Sequence, residues 1–171
     1  LTVDAYGGGL TTTVSLGEAG KVRRIHSVRF PHSLGMYYAQ VTKALGFVPD
    51  RHEGKILGLA AYGSPERLGP LVRARFVERN GGFEAPRLFD RRFPRDLVRA
   101  HPREEVAAAW QDNLEKILVH YLRHHLERLG VDRVALSGGV AANVKLNQRI
   151  GETPGVSRVF VYPAMNDSGT G

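Results

Sequence analysis

The sequence predicts an α/β protein with a mixed sheet and flanking helices. Alternating, β-branched residues open the chain and indicate an antiparallel hairpin. A strand–turn–helix–strand pattern closes it over residues 133–162, and such a β-α-β unit favours a parallel pair of strands with a right-handed crossover. Between them lies one long amphipathic helical pattern. The two kinds of strand pairing together predict the mixed sheet.

Composition sets the class of protein. The 171 residues are 42% apolar and 24% charged, which is typical of a soluble globular domain or part of one. There are no cysteines, so disulfides and thiolate metal sites are excluded. No apolar run is long enough to span a membrane and no signal peptide opens the chain, so we expect a cytoplasmic protein without membrane contact. Both ends read as interrupted elements, and residues 1–171 are expected to be part of one domain, truncated at each end.

The chain is strongly basic, with a net charge of +7 and a pI near 10.0. A basic balance is typical of proteins that bind nucleic acid or an anionic substrate. It is equally typical of an arginine-rich solvated surface. The basic residues are scattered along the chain rather than gathered on one helix face with aromatic residues between them. This distribution favours the solvated surface, and no nucleic-acid partner is expected.

The first half of the chain predicts short elements separated by turns. Residues 1–16 and 21–29 form two strands of a hairpin with its turn at 17–20. A helix over 34–45 is capped by Ser33 and ends at Gly46. The following elements are, in order, a glycine-rich loop over 47–63, a helix over 66–79 after Pro65, and irregular structure or a short hairpin over 80–102.

The second half is more regular. Apolar residues at helical spacing predict one helix from Arg103 to Leu129, which Gly130 ends. A strand over 133–136, a helix over 140–150 and a strand over 157–162 follow. Ligands of such sheets bind beyond the carboxyl ends of the strands. Gly138, Gly139 and Asp167 fall at those ends.

Two glycine turns are candidate phosphate sites. Gly138 and Gly139 leave a strand and enter a helix, where bare backbone N–H groups and the helix dipole favour an anion. Asn143 is placed to present an amide to a ribose or a phosphate. Near the start of the chain, Asp4 ends a strand and is followed by Gly7 and Gly8, whose amides could wrap phosphates. A glycine-rich hairpin turn with no ligand is the alternative for this second site.

Two further pairs of residues have side chains suited to phosphate or metal binding. Lys55 is a candidate phosphate-binding cation that Glu53 would orient, although a solvated ion pair on a surface loop explains the two residues equally well. His120 and His124 lie one helical turn apart, which is suitable spacing for metal ligands. Arg123 adjoins His124, and such a cationic neighbourhood disfavours a divalent cation, so no metal is predicted there.

Taken together and in this order, the motifs resemble one known family. The chain resembles the carbamoyltransferases that include the nodulation-factor and antibiotic O-carbamoyltransferases, over almost its whole length. The residues that carry the likeness are Val3 to Gly7, His32 to Gly35 with Tyr38, Glu53 to Ala60 with Tyr62 and Gly63, Ser137 to Ala141 with Asn143 and Asn147, and Pro163 with Asp167 to Thr170.

The resemblance implies an actin/sugar-kinase/Hsp70-like nucleotide-binding fold, present here in part and shared with the tRNA threonylcarbamoyl-transfer enzymes. It implies that ATP is used to move a carbamoyl group from carbamoyl phosphate to a small-molecule hydroxyl acceptor through a carbamoyl-adenylate. A divalent metal (iron, zinc, magnesium or manganese) is implied at Asp167, with a histidine pair expected upstream of Leu1. The chain departs from the family at its first turn, where Ala5 replaces a glycine and Gly8 replaces an acid, which puts phosphate handling at this turn in doubt.

The resulting site prediction has three parts. Lys55 and Glu53 are the catalytic candidates, Asp167 is the metal ligand, and the nucleotide contacts are Asp4, Gly7, Gly8, Gly138, Gly139 and Asn143. Two alternatives stay open: a sugar-kinase-like ATPase or phosphotransferase, and a non-catalytic basic fragment that binds nucleic acid. We expect the 171 residues alone to be inactive. The acceptor and the assembly, including a homodimer, stay open.

Overall fold

The computed structural model describes residues 1–79 and 81–165. The chain opens with an antiparallel meander of three strands: β1 (Thr2–Gly7), β2 (Leu10–Glu18) and β3 (Lys21–Arg29). The prediction of one strand over residues 1–16 is wrong. Gly8 and Gly9 take positive φ values of 57° and 81° and close a two-residue turn between β1 and β2, as positive φ at both turn positions favours.

The first helix, α1 (Leu34–Ala44), agrees with its prediction. The Oγ atom of Ser33 accepts a hydrogen bond from the Met36 N–H at 3.0 Å, which confirms the predicted cap. Residues 47–63, predicted as a loop, contain the helix α2 (Glu53–Ala60). The glycines at positions 54 and 58 suggested a loop, but the apolar Ile56 is fully buried, and its packing outweighs the low helix propensity of glycine.

The middle of the chain differs most from the prediction. Instead of one helix over 66–79 there is a short helix and a hairpin, and a further helix lies in the stretch predicted as irregular. These elements are α3 (Gly69–Arg73), β4 (Val77–Arg79), β5 (Gly82–Glu84) and α4 (Arg92–Ala100). Pro94 suggested a break, but it lies in the first turn of α4, where no backbone N–H is needed. A short hairpin is present, but only β5 lies within the predicted range of 80–102, since β4 falls in the stretch predicted as a helix.

The long helix α5 (Arg103–Leu129) forms the centre of the core and has the predicted bounds. Gly130 ends it in the left-handed conformation with φ 64°. Trp110, fully buried, stacks on Tyr37 of α1 with ring centroids 5.1 Å apart. Its indole N–H donates to the Tyr37 carbonyl at 3.2 Å, so α1 is fixed against α5 by both apolar and polar contacts.

The last part of the described chain is the predicted β-α-β unit. Strands β6 (Arg133–Leu136) and β7 (Arg158–Val161) pair in parallel around the helix α6 (Val144–Gly151). The helix predicted over 140–150 begins only at Val144. Residues Gly139–Ala142 form a separate 3-10 turn, and Asn143 adopts extended backbone between the two.

A parallel bridge between Thr2 and Ser137 joins the two halves of the sheet. The Val3 N–H donates to the Ser137 carbonyl at 2.9 Å, and the Ser137 N–H donates to the Leu1 carbonyl at 3.1 Å. The strands therefore follow the order β3-β2-β1-β6-β7. The mixed α/β class is confirmed. None of the helices in the described residues has the length and hydropathy to cross a membrane.

Candidate functional site

The candidate site begins where β1 meets the turn after β6. Gly138 has φ 88°, and a Cβ atom there would lie 2.2 Å from the Val3 carbonyl oxygen. Only glycine allows this approach. The neighbouring Gly139 N–H donates to Asp4 Oδ2 at 3.3 Å, while Asp4 Oδ1 accepts from the Ala5 N–H at 2.7 Å. The Asp4 carboxylate is thereby held at the Gly138–Gly139 turn.

The His32-to-Gly35 motif positions β1 from the other side. The Ser33 hydroxyl donates to the Ala5 carbonyl at 2.6 Å. A Cβ atom at Gly35 would lie 2.6 Å from the Ala5 nitrogen, so the first turn of α1 rests directly on β1. The Thr11 hydroxyl donates to the His32 carbonyl at 2.6 Å. The motif thus has a structural role: it sets the distance between α1 and the strand that carries Asp4.

These contacts surround a cavity of about 380 Å³, which we call the acidic cavity. It lies between β1, α1, α2 and the Gly139–Ala142 turn, and it brings together four of the predicted site residues. Its charged and polar lining residues are Asp4, Tyr38, Asp50, Arg51, Glu53 and Asn143. Three of these are acids and one is a cation, so the lining carries a formal charge of 1 − 3 = −2.

Asn143 lies in the acidic cavity but its amide is already engaged. Its Oδ1 accepts from the Leu146 N–H at 3.0 Å and caps α6. It also forms a reciprocal amide pair with Gln111, at 2.8 Å and 3.1 Å. The Tyr38 hydroxyl donates to Gln111 Oε1 at 2.8 Å. Burial, with the nearby Glu115 and Glu53 carboxylates, raises the pKa of Tyr38 well above its usual value. Tyr38 therefore keeps its proton at neutral pH and donates a hydrogen bond in this network.

Lys55 and Glu53 diverge although they share α2. Glu53 lines the acidic cavity and accepts a hydrogen bond from the Asp50 N–H at 2.8 Å. Lys55 is exposed outside the lining, with its Nζ 5.7 Å from the centroid of the Phe47 ring. Within the described residues no ion pair joins Glu53 to Lys55. The catalytic role of both residues stays a prediction.

The first glycine turn lies further along β1. Gly7 is three residues past Asp4, or roughly 10 Å at the usual rise of a strand. Because β1 and Ser137 pair in parallel, both glycine turns lie toward the same end of the sheet. Gly7 and Gly8 are outside the lining of the acidic cavity, and their predicted phosphate contacts stay predictions.

The predicted metal ligand Asp167 lies outside the described residues. Across 1–79 and 81–165 no group of three or more His, Cys, Asp or Glu side chains is arranged to hold a metal ion. His120 instead pairs with Glu78 at 3.1 Å, and a Cβ atom at Gly81 would meet His124 Nε2 at 2.2 Å. These histidines pack the β4–β5 hairpin against α5.

Two residues of the acidic cavity were missed by sequence reasoning. Asp50 and Arg51 lie in the connection between α1 and α2, and both line the cavity. Asp50 has φ 64°, a left-handed conformation that Asp tolerates better than most residues. The one available signal was an Asp directly after a proline, Pro49-Asp50. Nothing in the sequence indicates which cavity this Asp lines.

Comparison with known proteins decides the family. Residues 1–171 match the family described as Carbamoyltransferase N-terminus. The chain belongs to this carbamoyltransferase family. It is 32% identical over 182 residues to the nodulation protein NolNO of Sinorhizobium fredii, with 99% of this chain and 26% of that protein aligned.

Other relatives have a similar sequence identity to this chain. The nodulation protein NolO of Bradyrhizobium diazoefficiens is 32% identical over 179 residues, which cover 98% of this chain and 32% of the relative. An uncharacterised protein of Methanocaldococcus jannaschii is 32% identical over 145 residues, covering 80% of this chain and 24% of the relative. The chain therefore spans about a quarter to a third of the length of these relatives.

Proposed function

We propose that this protein is an ATP-dependent O-carbamoyltransferase that moves the carbamoyl group of carbamoyl phosphate to a hydroxyl acceptor through a carbamoyl-adenylate. The observation that carries the proposal is the whole-chain match to the carbamoyltransferase family. We propose the acidic cavity as its location, because this cavity collects Asp4, Glu53, Gly139 and Asn143. We further propose that the strand order β3-β2-β1-β6-β7 is part of an actin/sugar-kinase/Hsp70-like fold.

The open space around Gly139 supports the proposal that a ligand binds in the acidic cavity. A Cβ atom at this position would meet only Asp4 Oδ1, at 3.5 Å, which is ordinary contact. Its backbone is outside the left-handed region, unlike that of Gly138. The packing of the described residues therefore does not require glycine at 139. A ligand that lies against the bare main chain would require it.

The charge of the acidic cavity limits how ATP can bind there. A triphosphate would be repelled by Asp4, Asp50 and Glu53, against which Arg51 is the only cation of the described lining. Mg²⁺ bound to ATP keeps several waters and needs only one or two protein carboxylates besides the phosphates, and Asp4 fits that need. Such an ion would offset phosphate charge in the transition state.

A resident iron or zinc site needs more protein ligands than the described residues bring together. The role of Asp167 in such a site is therefore a proposal that also requires the predicted histidine pair. No reaction step is assigned to it.

The chain itself would act by positioning and charge. Asp4, held by two backbone N–H groups, faces the nucleotide in a fixed orientation. Arg51 is the cation of the cavity, and Gly139 lets the ligand approach the turn. Lys55 would reach the reacting groups only after its side chain leaves Phe47. No protein nucleophile is required, since orientation and electrostatic stabilisation supply most of the catalysis in reactions of this kind.

The test is to measure which nucleotide product the purified native protein releases. With ATP, carbamoyl phosphate and a hydroxyl acceptor, we expect AMP, pyrophosphate and the inorganic phosphate released from carbamoyl phosphate, and neither AMP nor pyrophosphate without carbamoyl phosphate. Asp4→Asn should lower the rate at subsaturating MgATP by about tenfold or more, whereas Asp96→Asn, at an exposed position of α4, should not. Release of ADP independent of carbamoyl phosphate would overturn the proposal in favour of a kinase or ATPase.

A further inference from the structure

A second concave surface lies beside the acidic cavity and differs from it in chemistry. It is a groove of about 1000 Å³ between the end of β1, the outer face of α1 and the start of α4. Three aromatic residues line it: Tyr6, Phe30 and Phe89. We call it the aromatic groove. It shares Ala5, Ala39 and Asp50 with the acidic cavity, so the two sites are neighbours.

The three rings form a continuous apolar wall that water reaches. Tyr6 and Phe30 meet edge to face with centroids 5.2 Å apart, and Phe30 and Phe89 are tilted at 5.7 Å. They are 59%, 41% and 53% exposed, respectively. Adjacent exposed aromatic rings in a concavity are typical of a binding site rather than of a scattered apolar surface.

The charge of the aromatic groove is opposite to that of the acidic cavity. Lys43, Arg91 and Arg95 line it against the single acid Asp50, which gives a formal charge of 3 − 1 = +2. In the described part of the chain none of the three cations forms an ion pair. A ligand for this groove would therefore combine a ring face with an anionic group.

The lining distinguishes this groove from a nucleotide site. Its described residues include no glycine, whereas Gly35, Gly54 and Gly139 line the acidic cavity. Backbone amides exposed at glycine turns are the usual cradle of nucleotide phosphates. The groove offers side-chain cations and aromatic rings instead, which suits a carboxylate or phosphate on a sugar-like or aromatic scaffold.

We propose that the aromatic groove binds the hydroxyl acceptor, and that this acceptor carries a ring system and a negative charge. This inference rests on the proposed carbamoyl transfer. The shared border of the two sites would present a hydroxyl of the acceptor to the carbamoyl group in the acidic cavity. The acceptor oxygen would form its bond to the carbamoyl carbon as the bond to the AMP phosphate oxygen breaks, and the hydroxyl proton would leave to solvent.

Binding to the native protein tests the groove without requiring turnover. The probes are 4-nitrophenyl β-D-glucuronide and 4-nitrophenyl β-D-glucoside. They differ only at C6, which is a carboxylate in the glucuronide and a hydroxymethyl group in the glucoside. We expect the glucuronide to bind roughly tenfold more tightly by titration calorimetry. Arg95→Gln should remove most of that difference, and Phe89→Ala should weaken both probes about fivefold. The matched controls Arg99→Gln, on the same helix, and Phe160→Ala, exposed on β7, should change neither.

Several outcomes would overturn the inference. The two probes could bind with equal affinity, or neither could bind at millimolar concentration. Displacement of the glucuronide by MgATP would show that the groove is a nucleotide site. Conversion of a native dimer to a monomer by Phe89→Ala would show that the groove is a subunit interface. Because carbamoyl-phosphate-dependent AMP release is measured separately, failure of the groove and failure of the proposed function are distinguishable.

Discussion

The two glycine turns proposed as phosphate sites look alike in sequence but need glycine for different reasons. At the β1–β2 turn, Gly8 and Gly9 have positive φ and nothing lies within 4 Å of where their Cβ atoms would be. At the turn after β6, Gly138 has both a positive φ and the Val3 backbone in the way, and Gly139 has neither constraint. The first turn is determined locally, and the second by the strand that packs against it. Gly139 is therefore the glycine at which we propose a ligand contact.

The largest effect is expected from Gly138→Ala. The added methyl would overlap the Val3 carbonyl oxygen at 2.2 Å and would force β1 away from β6. We expect a loss of about 3 kcal/mol or more in the free energy of unfolding, measured by denaturant titration. A loss under about 1 kcal/mol would contradict the packing reason for this glycine.

Acid should destabilise the region where α5 packs against the β4–β5 hairpin and should leave both glycine turns folded. His125 is 3% exposed, and burial, with His26, His124 and Arg128 nearby, lowers its pKa to about 4. Since the unfolded chain takes up this proton near its ordinary pKa of 6.5, stability should fall as the pH drops from 6.5 to 4.

The slope of this loss is at most about 1.4 kcal/mol per pH unit. His125 Nε2 donates to the Gly81 carbonyl at 3.0 Å, so hydrogen exchange should rise first in the β4–β5 hairpin. His125→Gln should flatten the dependence on pH. Equal acid sensitivity of that variant and the native protein would assign the effect to other groups.

Gly8→Ala should have an intermediate effect. The alanine would keep a positive φ near 57° in open space, and the left-handed conformation costs about 1–2 kcal/mol. Thermal unfolding should therefore shift by less than for Gly138→Ala. A Gly8→Asn variant is the control, because Asn tolerates this conformation and should recover part of the loss.

The smallest effect on stability is expected at Gly139. A methyl there meets only Asp4 Oδ1 at 3.5 Å, so Gly139→Ala should change the free energy of unfolding by less than about 1 kcal/mol. Unfolding measured beside Gly138→Ala gives the comparison directly. If the two variants were equally unstable, both glycines of this turn would serve packing, and the case for a ligand at Gly139 would be lost.

Elements set by local signals could be predicted from the sequence. The cap of α1, the bounds of α5 and the parallel pair β6–β7 agree with the predictions. Helices α2 and α4 were missed because their glycines and proline suggested breaks, while burial of Ile56 and Leu97 stabilises them. The helix after Gly139 was predicted too long because Gly139–Ala142 forms a separate 3-10 turn and Asn143 caps α6. Asn143 also bonds to Gln111, which is 32 residues away and invisible to local patterns.

The residues of the candidate site also divide into those that local sequence patterns predict and those that depend on tertiary packing. Asp4 and Gly139 could be chosen from strand ends and glycine turns, and the structure brings them into contact. Asp50 and Arg51 depend on how the α1–α2 connection folds over β1, which no spacing in the sequence encodes. Lys55 is predicted as a phosphate-binding cation from its charge and from the loop expected around it, whereas the helix α2 directs it to Phe47.

The proposed function depends most on the nucleotide lying against Gly139. Titration calorimetry of MgATP with the native protein and with Gly139→Ala measures this directly, with Phe160→Ala as a control for an exposed site. We predict that Gly139→Ala weakens MgATP about tenfold while its melting temperature stays close to that of the native protein. Equal affinity of the native protein and the Gly139→Ala variant would contradict the account.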